Sequence, residues 1–167
     1  MALSIGPVSN WTALAAASWA VVLGAVGALA TELGPWYYSL RKPPWQPPDW
    51  VFGPAWTTIF LLGAVALALA WDAPIGGGPE RQRLALAYGV NALLNILWSV
   101  LFFRVRRPDW ALVEVAALWL SIVAMMVALR PLLPIGPWLL APYLLWVSFA
   151  TALNLAIVRL NFSFSGR

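Results

Sequence analysis

The chain alternates between long apolar runs and short polar breaks along most of its length. Five of the runs reach the roughly 20 apolar residues that a helix needs to cross a bilayer. The runs extend over about 11–33, 50–71, 84–103, 110–129 and 138–160. Gly, Pro and Arg cluster in the breaks, where they typically end helices. The pattern therefore predicts an all-α membrane protein in which residues 1–167 form a single five-helix transmembrane domain.

The composition agrees with this prediction. Hydrophobic residues make up 62% of the chain and charged residues only 10%, and the mean hydropathy is +0.81. A soluble domain is about 25% charged on average. Because a soluble fold of this length cannot bury so much apolar surface, lipid must be the solvent. The first run is too long for a signal-peptide core and lacks a basic leading segment, so we interpret it as a retained span.

The chain contains no Cys and no His. This excludes a disulfide framework, thiol chemistry, and the commonest general base and metal ligand. With only six Asp and Glu residues in all, a conventional hydrolase is hard to build, and neither a metal site nor a required cofactor is predicted. The formal charge of +4 reflects the topology bias of membrane proteins rather than a nucleic-acid partner.

The basic residues are distributed unevenly between the two sides of the predicted bundle. On the side of the N-terminus lie Arg81, Arg83 and Arg130. On the opposite side lie Arg41, Lys42, Arg104, Arg106, Arg107, Arg159 and Arg167. Because Lys and Arg are retained on the cytoplasmic side, we expect the N-terminus outside and the C-terminus in the cytoplasm.

Three of the runs carry stripes of aromatic and amide side chains at helical spacing. The stripes are Phe52, Trp56 and Phe60; Asn95, Trp98 and Phe102; and Trp146, Ala150 and Asn154. At about 1.5 Å per residue, all three lie in the same half of the bilayer. Together they predict a ligand cavity between helices, apolar with a few polar anchors. The alternative for each stripe is helix–helix packing, which is the preferred interpretation of the deeper Asn91.

The first break contains "KPPWQPPDW", residues 42–50, with two Pro pairs and two Trp residues. The Pro pairs forbid helix and favour a stiff, extended backbone. Trp45 and Trp50 suit a boundary between apolar and wet surroundings. We expect this loop to lie over the three stripes.

Two further patterns predict local structure. Ala16, Ala20, Gly24 and Ala28 form a stripe of small residues, which favours close helix packing within the monomer. Asp109, at the start of the fourth run, is predicted to be a helix N-cap.

Several stretches resemble the translocator protein, or tryptophan-rich sensory protein, family (TspO/MBR). They are "PWYYSLRKPPWQPPDWVFGPAWT", "NALLNILWSVLFF", "RPDWALVEV" and "PYLLWVSFATALN", which occur in order over about Pro35 to Asn161. The resemblance implies a five-transmembrane-helix bundle with the Pro/Trp-rich first loop as a lid. It also implies binding of tetrapyrroles such as protoporphyrin IX, of sterols, and of synthetic benzodiazepine and isoquinoline ligands. A bacterial-type member in the cell membrane, often a homodimer, is the expected kind of protein.

The resemblance places the pocket at positions matching Trp50, Trp56, Asn95, Trp98, Phe102, Trp146, Ala150 and Asn154. Added to the stripes and the loop, it gives the predicted ligand-binding set of Trp45, Trp50, Phe52, Trp56, Phe60, Asn95, Trp98, Phe102, Trp146, Ala150 and Asn154. The family's sterol motif has a central Tyr, and Leu155 stands in its place here, which argues against tight sterol binding.

Three functions remain open at this point. The first is a membrane sensor or translocator that binds tetrapyrroles, including haem-pathway intermediates, and regulates porphyrin or stress responses. The second, implied by the resemblance, is light- and oxygen-dependent porphyrin degradation with Trp56 and Trp146 as the candidate reactive residues. The third is a partner-binding membrane protein with no small ligand, in which the stripes serve packing alone.

Overall fold

The computed structural model describes residues 7–161, and these residues contain helices and turns but no β-strand. Within the described residues there are five long helices and a short one, α2. The helices are α1 (Asn10–Ala30), α2 (Pro35–Ser39), α3 (Phe52–Trp71), α4 (Gly78–Ser99), α5 (Pro108–Leu129) and α6 (Gly136–Asn161). By length and composition, the five long helices can each cross a membrane. The predicted all-α fold with five membrane spans is confirmed.

The helix ends differ from the predicted runs where polar residues take part in a helix. α4 begins at Gly78 rather than near Leu84, because Pro79 and Glu80 suit a first helical turn although they are not apolar. α1 ends at Ala30, and Thr31 is already extended. A 3₁₀ turn, Asp49–Val51, leads into α3, and a π turn, Val100–Arg104, extends α4.

α5 begins two residues earlier than the prediction for Asp109 requires. Arg107 occupies the N-cap position and Pro108 the first helical position, so the predicted N-cap role of Asp109 is wrong. Pro suits the first position because its fixed φ is helical and its missing N–H is not needed there. The Asp109 carboxylate instead accepts two hydrogen bonds from Arg107, at 2.8 and 2.5 Å.

Small residues let α1 and α3 approach each other closely. Ala16 and Ala20 of α1 are buried, as the small-residue stripe predicts. Gly63 of α3 lies against the ring of Trp19, and a Cβ atom at Gly63 would be only 3.1 Å from it. The Gly63 carbonyl also accepts a hydrogen bond from the Tyr88 hydroxyl at 3.0 Å. Three helices, α1, α3 and α4, therefore meet at Gly63.

At the end of the bundle where α1 begins, the Asp72 carboxylate joins α1 to α3. Asp72, just after α3, accepts hydrogen bonds from the Ser9 backbone N–H at 2.7 Å and from the Thr12 hydroxyl at 3.0 Å. These bonds, led by that from Ser9, lower the pKa of the Asp72 carboxyl below its usual value. The start of α1 is thus fixed to the end of α3.

Candidate functional site

A cavity of about 470 Å³ lies between α1, α3, α4 and α6, next to the first loop, residues 31–48. We call this end of the bundle the loop end. The cavity is lined by Gly24, Gly27, Ala28, Thr31, Leu33, Tyr37, Asp49, Phe52, Gly53, Trp56, Thr57, Phe60, Asn95, Trp98, Ser99, Phe103, Trp146 and Ala150. Its volume is within the range of about 300–1,000 Å³ that small-molecule sites have.

Members of all three predicted stripes meet in this cavity. From the predicted ligand-binding set, the lining contains Phe52, Trp56, Phe60, Asn95, Trp98, Trp146 and Ala150. The rings are packed against one another and not left free to rotate. Trp56 is stacked on Phe60 with 5.4 Å between ring centroids, and Phe52 meets Trp146 edge-on at 5.5 Å. The result is a rigid aromatic wall.

Phe102 is not part of the lining, and Phe103 takes its place. Phe102 is buried behind Trp98, with the ring centroids 5.3 Å apart. The cause is the π turn, in which the Val105 N–H bonds to the Val100 carbonyl five residues earlier. Because a π turn takes in about one residue more than an α turn, it rotates the residues along it and brings Phe103 to the cavity.

The structure does not bring Asn154 to the cavity either. Asn154 is buried against α5 instead. In the amide orientation that satisfies both groups, its nitrogen donates to the Pro108 carbonyl at 3.0 Å and its oxygen accepts from the Leu112 N–H at 3.2 Å. This amide joins α5 to α6, which is the packing alternative for that stripe.

The two loop tryptophans lie outside the lining as well. Trp45 is 49% exposed and packs edge-on against Phe149, at 5.9 Å between centroids. Trp50 is 74% exposed and lies in a separate groove of about 370 Å³ on the outer surface between α3 and α6. Trp146 lines both this groove and the cavity. One indole therefore forms part of the wall between them.

Asn95 is held by a chain of hydrogen bonds that leads away from the cavity. Its Nδ2 donates to the Tyr143 hydroxyl at 3.0 Å, and Tyr143 donates to Asn91 Oδ1 at 3.2 Å. Asn91 Nδ2 donates to Ser121 Oγ at 2.9 Å, and Ser121 donates to the Leu118 carbonyl at 2.6 Å. The four side chains in this series are all buried. Leu118 takes part only through its backbone carbonyl.

The donor and acceptor in each of these hydrogen bonds are fixed by the last bond, from Ser121 to Leu118. A backbone carbonyl can only accept, so Ser121 must donate to Leu118 and accept from Asn91. Asn91 then turns its oxygen to Tyr143, and Tyr143, having donated its hydrogen, must accept from Asn95. The carboxamide of Asn95 is thereby oriented with Oδ1 as its unused acceptor.

The loop end of the cavity is built around Tyr37. Its hydroxyl donates to Asp49 Oδ1 at 3.2 Å and accepts from Gln46 Nε2 at 3.2 Å. Burial, with the Asp49 charge second, raises the pKa of Tyr37 to about 12. The Lys42 ammonium lies 3.5 Å from the Tyr37 ring centroid, and burial lowers the pKa of Lys42 although nearby Asp49 acts in the opposite direction.

A side chain of α6 holds the beginning of the Pro-rich segment. Asn161 Oδ1 accepts from the Arg41 backbone N–H at 2.8 Å, and Asn161 Nδ2 donates to the Arg41 carbonyl at 2.8 Å. Both backbone groups of Arg41 are thus paired with one carboxamide.

Several lining residues could not be predicted from the sequence. Gly24, Gly27 and Ala28 were visible as small residues of α1, but the same signal predicts packing; here their size leaves room for the cavity. Tyr37 and Asp49 were visible only as loop residues. Tyr143, which orients Asn95, carried no signal because its partners are distant in sequence. Among residues 7–161, no group of three acidic, His or Cys side chains is placed to hold a metal ion.

These features define a multi-pass integral membrane protein with a rigid aromatic cavity between its helices. The TspO/MBR family model matches residues 13–160. The chain belongs to this family.

Curated relatives support the assignment. The Cereibacter sphaeroides tryptophan-rich sensory protein is 40% identical over 146 residues, covering 84% of this chain and 89% of the relative. The Chlorobaculum tepidum tryptophan-rich protein TspO is 39% identical over 130 residues, covering 75% and 80%. The human translocator protein is 36% identical over 132 residues, covering 78% of each.

Proposed function

We propose that this protein is a membrane sensor or translocator that binds tetrapyrroles, such as protoporphyrin IX and other haem-pathway intermediates, in the cavity. The observation that carries the proposal is the convergence of Trp56, Phe60, Trp98 and Trp146 on one cavity of about 470 Å³. Flat aromatic ligands pack well against such rings. Family membership and the names of the relatives, which refer to sensing and translocation, support the same proposal.

The first loop serves in this proposal as a lid at the cytoplasmic face of a bacterial cell membrane. Support for a lid comes from Tyr37 and Asp49, which border the cavity from the loop side. Support for the orientation comes from the excess of Lys and Arg at the loop end. Bound tetrapyrrole regulates porphyrin or stress responses, and no cofactor is required. Tight sterol binding is not proposed, since Leu155 replaces the central Tyr of the family's sterol motif.

A protoporphyrin IX titration of purified protein, followed by the change in Soret absorbance, tests the proposal. Ala150→Leu fills the cavity and is expected to weaken binding at least about tenfold, whereas Ala117→Leu adds the same volume on the exposed surface of α5. Likewise, Trp56→Ala should weaken binding, and Trp138→Ala, an exposed Trp on α6, should not. Equal affinity in Ala150→Leu and Ala117→Leu would place the ligand elsewhere.

A second candidate function is light- and oxygen-dependent degradation of bound porphyrin. The observation that favours it is that Trp56 and Trp146, the candidate reactive residues, both line the cavity. Illumination of the protein with protoporphyrin IX in air tests it. Bleaching should slow in Trp56→Phe and Trp146→Phe but not in Trp138→Phe. Bleaching no faster than with free tryptophan would eliminate this function.

A further inference from the structure

The hydroxyl groups that line the cavity have already used their hydrogens. Thr31, Thr57 and Ser99 each donate to the backbone carbonyl four residues earlier, at 2.8, 2.9 and 3.4 Å. A hydroxyl that donates to the protein can offer a ligand only its oxygen lone pairs. Three hydroxyls in the lining are therefore acceptors.

Tyr37, Asp49 and Asn95 also line the cavity, and the first two likewise offer a ligand only acceptors. The Tyr37 hydroxyl donates to Asp49, and the ionised Asp49 carboxylate can only accept. Asp49 is the one charged side chain among the described lining residues. Asn95 is held by the hydrogen bonds that lead from Leu118, so that its Oδ1 and one N–H of its Nδ2 group remain for a ligand.

The side-chain donors that remain are indole N–H groups and the second N–H of the Asn95 amide. Those of Trp98 and Trp146 are enclosed by protein and have no hydrogen-bond partner among the described residues. Trp56 carries the other indole N–H of the lining. Against these two donors, the Trp56 indole and one Asn95 N–H, stand the oxygens of Thr31, Thr57, Ser99 and Asn95, together with a full negative charge at Asp49.

We infer that the cavity selects flat apolar ligands that bring N–H donors or positive charge to it, and that it disfavours ligands whose carboxylates enter it. A donor satisfies the oxygens that desolvation would otherwise leave unpaired, and a carboxylate meets both unpaired oxygens and the Asp49 charge. The inference rests on the proposed function of the cavity as a ligand site. A tetrapyrrole is compatible with this selectivity when its carboxylates stay outside the lining.

A matched pair of probes tests this selectivity. The probes are 1-pyrenemethylammonium and 1-pyreneacetate, which share one flat ring and differ in charge. Binding in neutral maltoside micelles is measured by energy transfer from Trp to pyrene, with empty micelles as the reference for partitioning. The amine is expected to bind at least about tenfold more tightly. The formal net charge of +4 on the protein attracts the acid rather than the amine. A preference for the amine therefore does not arise from the net charge.

Three variants assign the preference to Asp49. Asp49→Asn should lose most of the preference for the amine, and Asp49→Glu, which retains the charge, should keep most of it. Glu80→Gln removes one negative charge at the start of α4, away from the cavity, and should leave the ratio unchanged. Equal affinity for the two probes in the parent protein, or an unchanged ratio in Asp49→Asn, overturns the inference.

The same samples separate this inference from the proposed function. If protoporphyrin IX fails to bind while the amine preference and its loss in Asp49→Asn persist, the tetrapyrrole proposal is wrong and the selectivity stands. If protoporphyrin IX binds in the cavity while the two pyrenes bind equally, the selectivity is wrong and the tetrapyrrole proposal stands.

Discussion

Tyr143 accepts a hydrogen bond from Asn95 at 3.0 Å while it donates its own hydrogen to Asn91, so this one hydroxyl decides which way Asn95 faces. The orientation of a polar group in the cavity wall is thus set by residues that no ligand in the cavity touches. The orientation of an Asn side-chain amide follows from the hydrogen bonds that it makes. For Asn95, that orientation is determined by a backbone carbonyl on α5.

The first prediction concerns the series of hydrogen bonds that orients Asn95. Tyr143→Phe frees the Asn95 carboxamide to turn, so the preference for the amine probe should fall severalfold, and the lost hydrogen bonds should cost about 1–3 kcal/mol of stability. Probe titration and thermal unfolding measure the two effects. Tyr88→Phe is the control, since it removes a buried hydroxyl that donates to the Gly63 carbonyl and takes no part in the hydrogen bonds that orient Asn95. A probe preference that changes equally in both variants would contradict the role of Tyr143.

The second prediction compares substitutions of two glycines whose surroundings differ. A Cβ atom at Gly63 would lie 3.1 Å from the Trp19 ring, so Gly63→Ala should destabilise the bundle by about 1–3 kcal/mol. At Gly27 a Cβ atom meets nothing within 4 Å, so Gly27→Ala should be tolerated or mildly stabilising through helix propensity. Thermal unfolding in detergent compares the two. Similar losses in both variants would contradict the packing described at Gly63.

The third prediction concerns pH and Asp72. The Ser9 N–H holds the pKa of Asp72 below its usual value, so the folded state favours the carboxylate. This contribution is fully present above the unfolded pKa of about 4 and is lost as pH falls through the lower folded pKa. The carboxylate is screened by solvent, so the loss should be small, about 0.5 kcal/mol. Unfolding midpoints measured between pH 6 and pH 3, a range chosen around that pKa, should fall less steeply in Asp72→Asn than in the parent or in Glu80→Gln.

The fourth prediction tests the lid. Replacing Pro43, Pro44, Pro47 and Pro48 by Ala should loosen the segment, since Pro restricts the unconstrained chain. A looser cover should raise the ligand dissociation rate more than the association rate, by about threefold to tenfold. Stopped-flow measurement with protoporphyrin IX gives both rates. Pro131→Ala with Pro134→Ala, in the turn at the other end of the bundle, is the control, and unchanged rates in the loop variant would make the segment a simple linker.

The fold could be predicted from the sequence because the signal for a membrane span is carried by many residues at once. Where single residues decide, the prediction is less complete. Asn154 lies on a predicted stripe, yet its amide bonds to the backbone of α5, since a helical face is wide enough to meet two neighbours. Similarly, α1 supplies Gly24 and Gly27 to the cavity although small residues indicate packing elsewhere on the same helix.

The polar character of the cavity could not be predicted in the same way. Donor or acceptor behaviour at Asn95 depends on Tyr143, Asn91 and Ser121, which lie on three different helices. No periodicity within one helix contains that information. By contrast, the acceptor role of Thr31, Thr57 and Ser99 follows from bonds to the carbonyl four residues earlier, which Ser and Thr commonly form in a helix or at its end.

The π turn at the end of α4 gives the chain an unusual sensitivity to its own length. Phe103 reaches the cavity because of the number of residues between Val100 and Arg104, and not because of their identities. The same extra residue sets where Arg104 meets the Leu29 carbonyl and Glu32. An α-helical path through the same residues would return Phe102 to the lining and draw Arg104 away from α1. In this stretch, the path of the backbone rather than the identity of the side chains therefore decides which Phe lines the cavity.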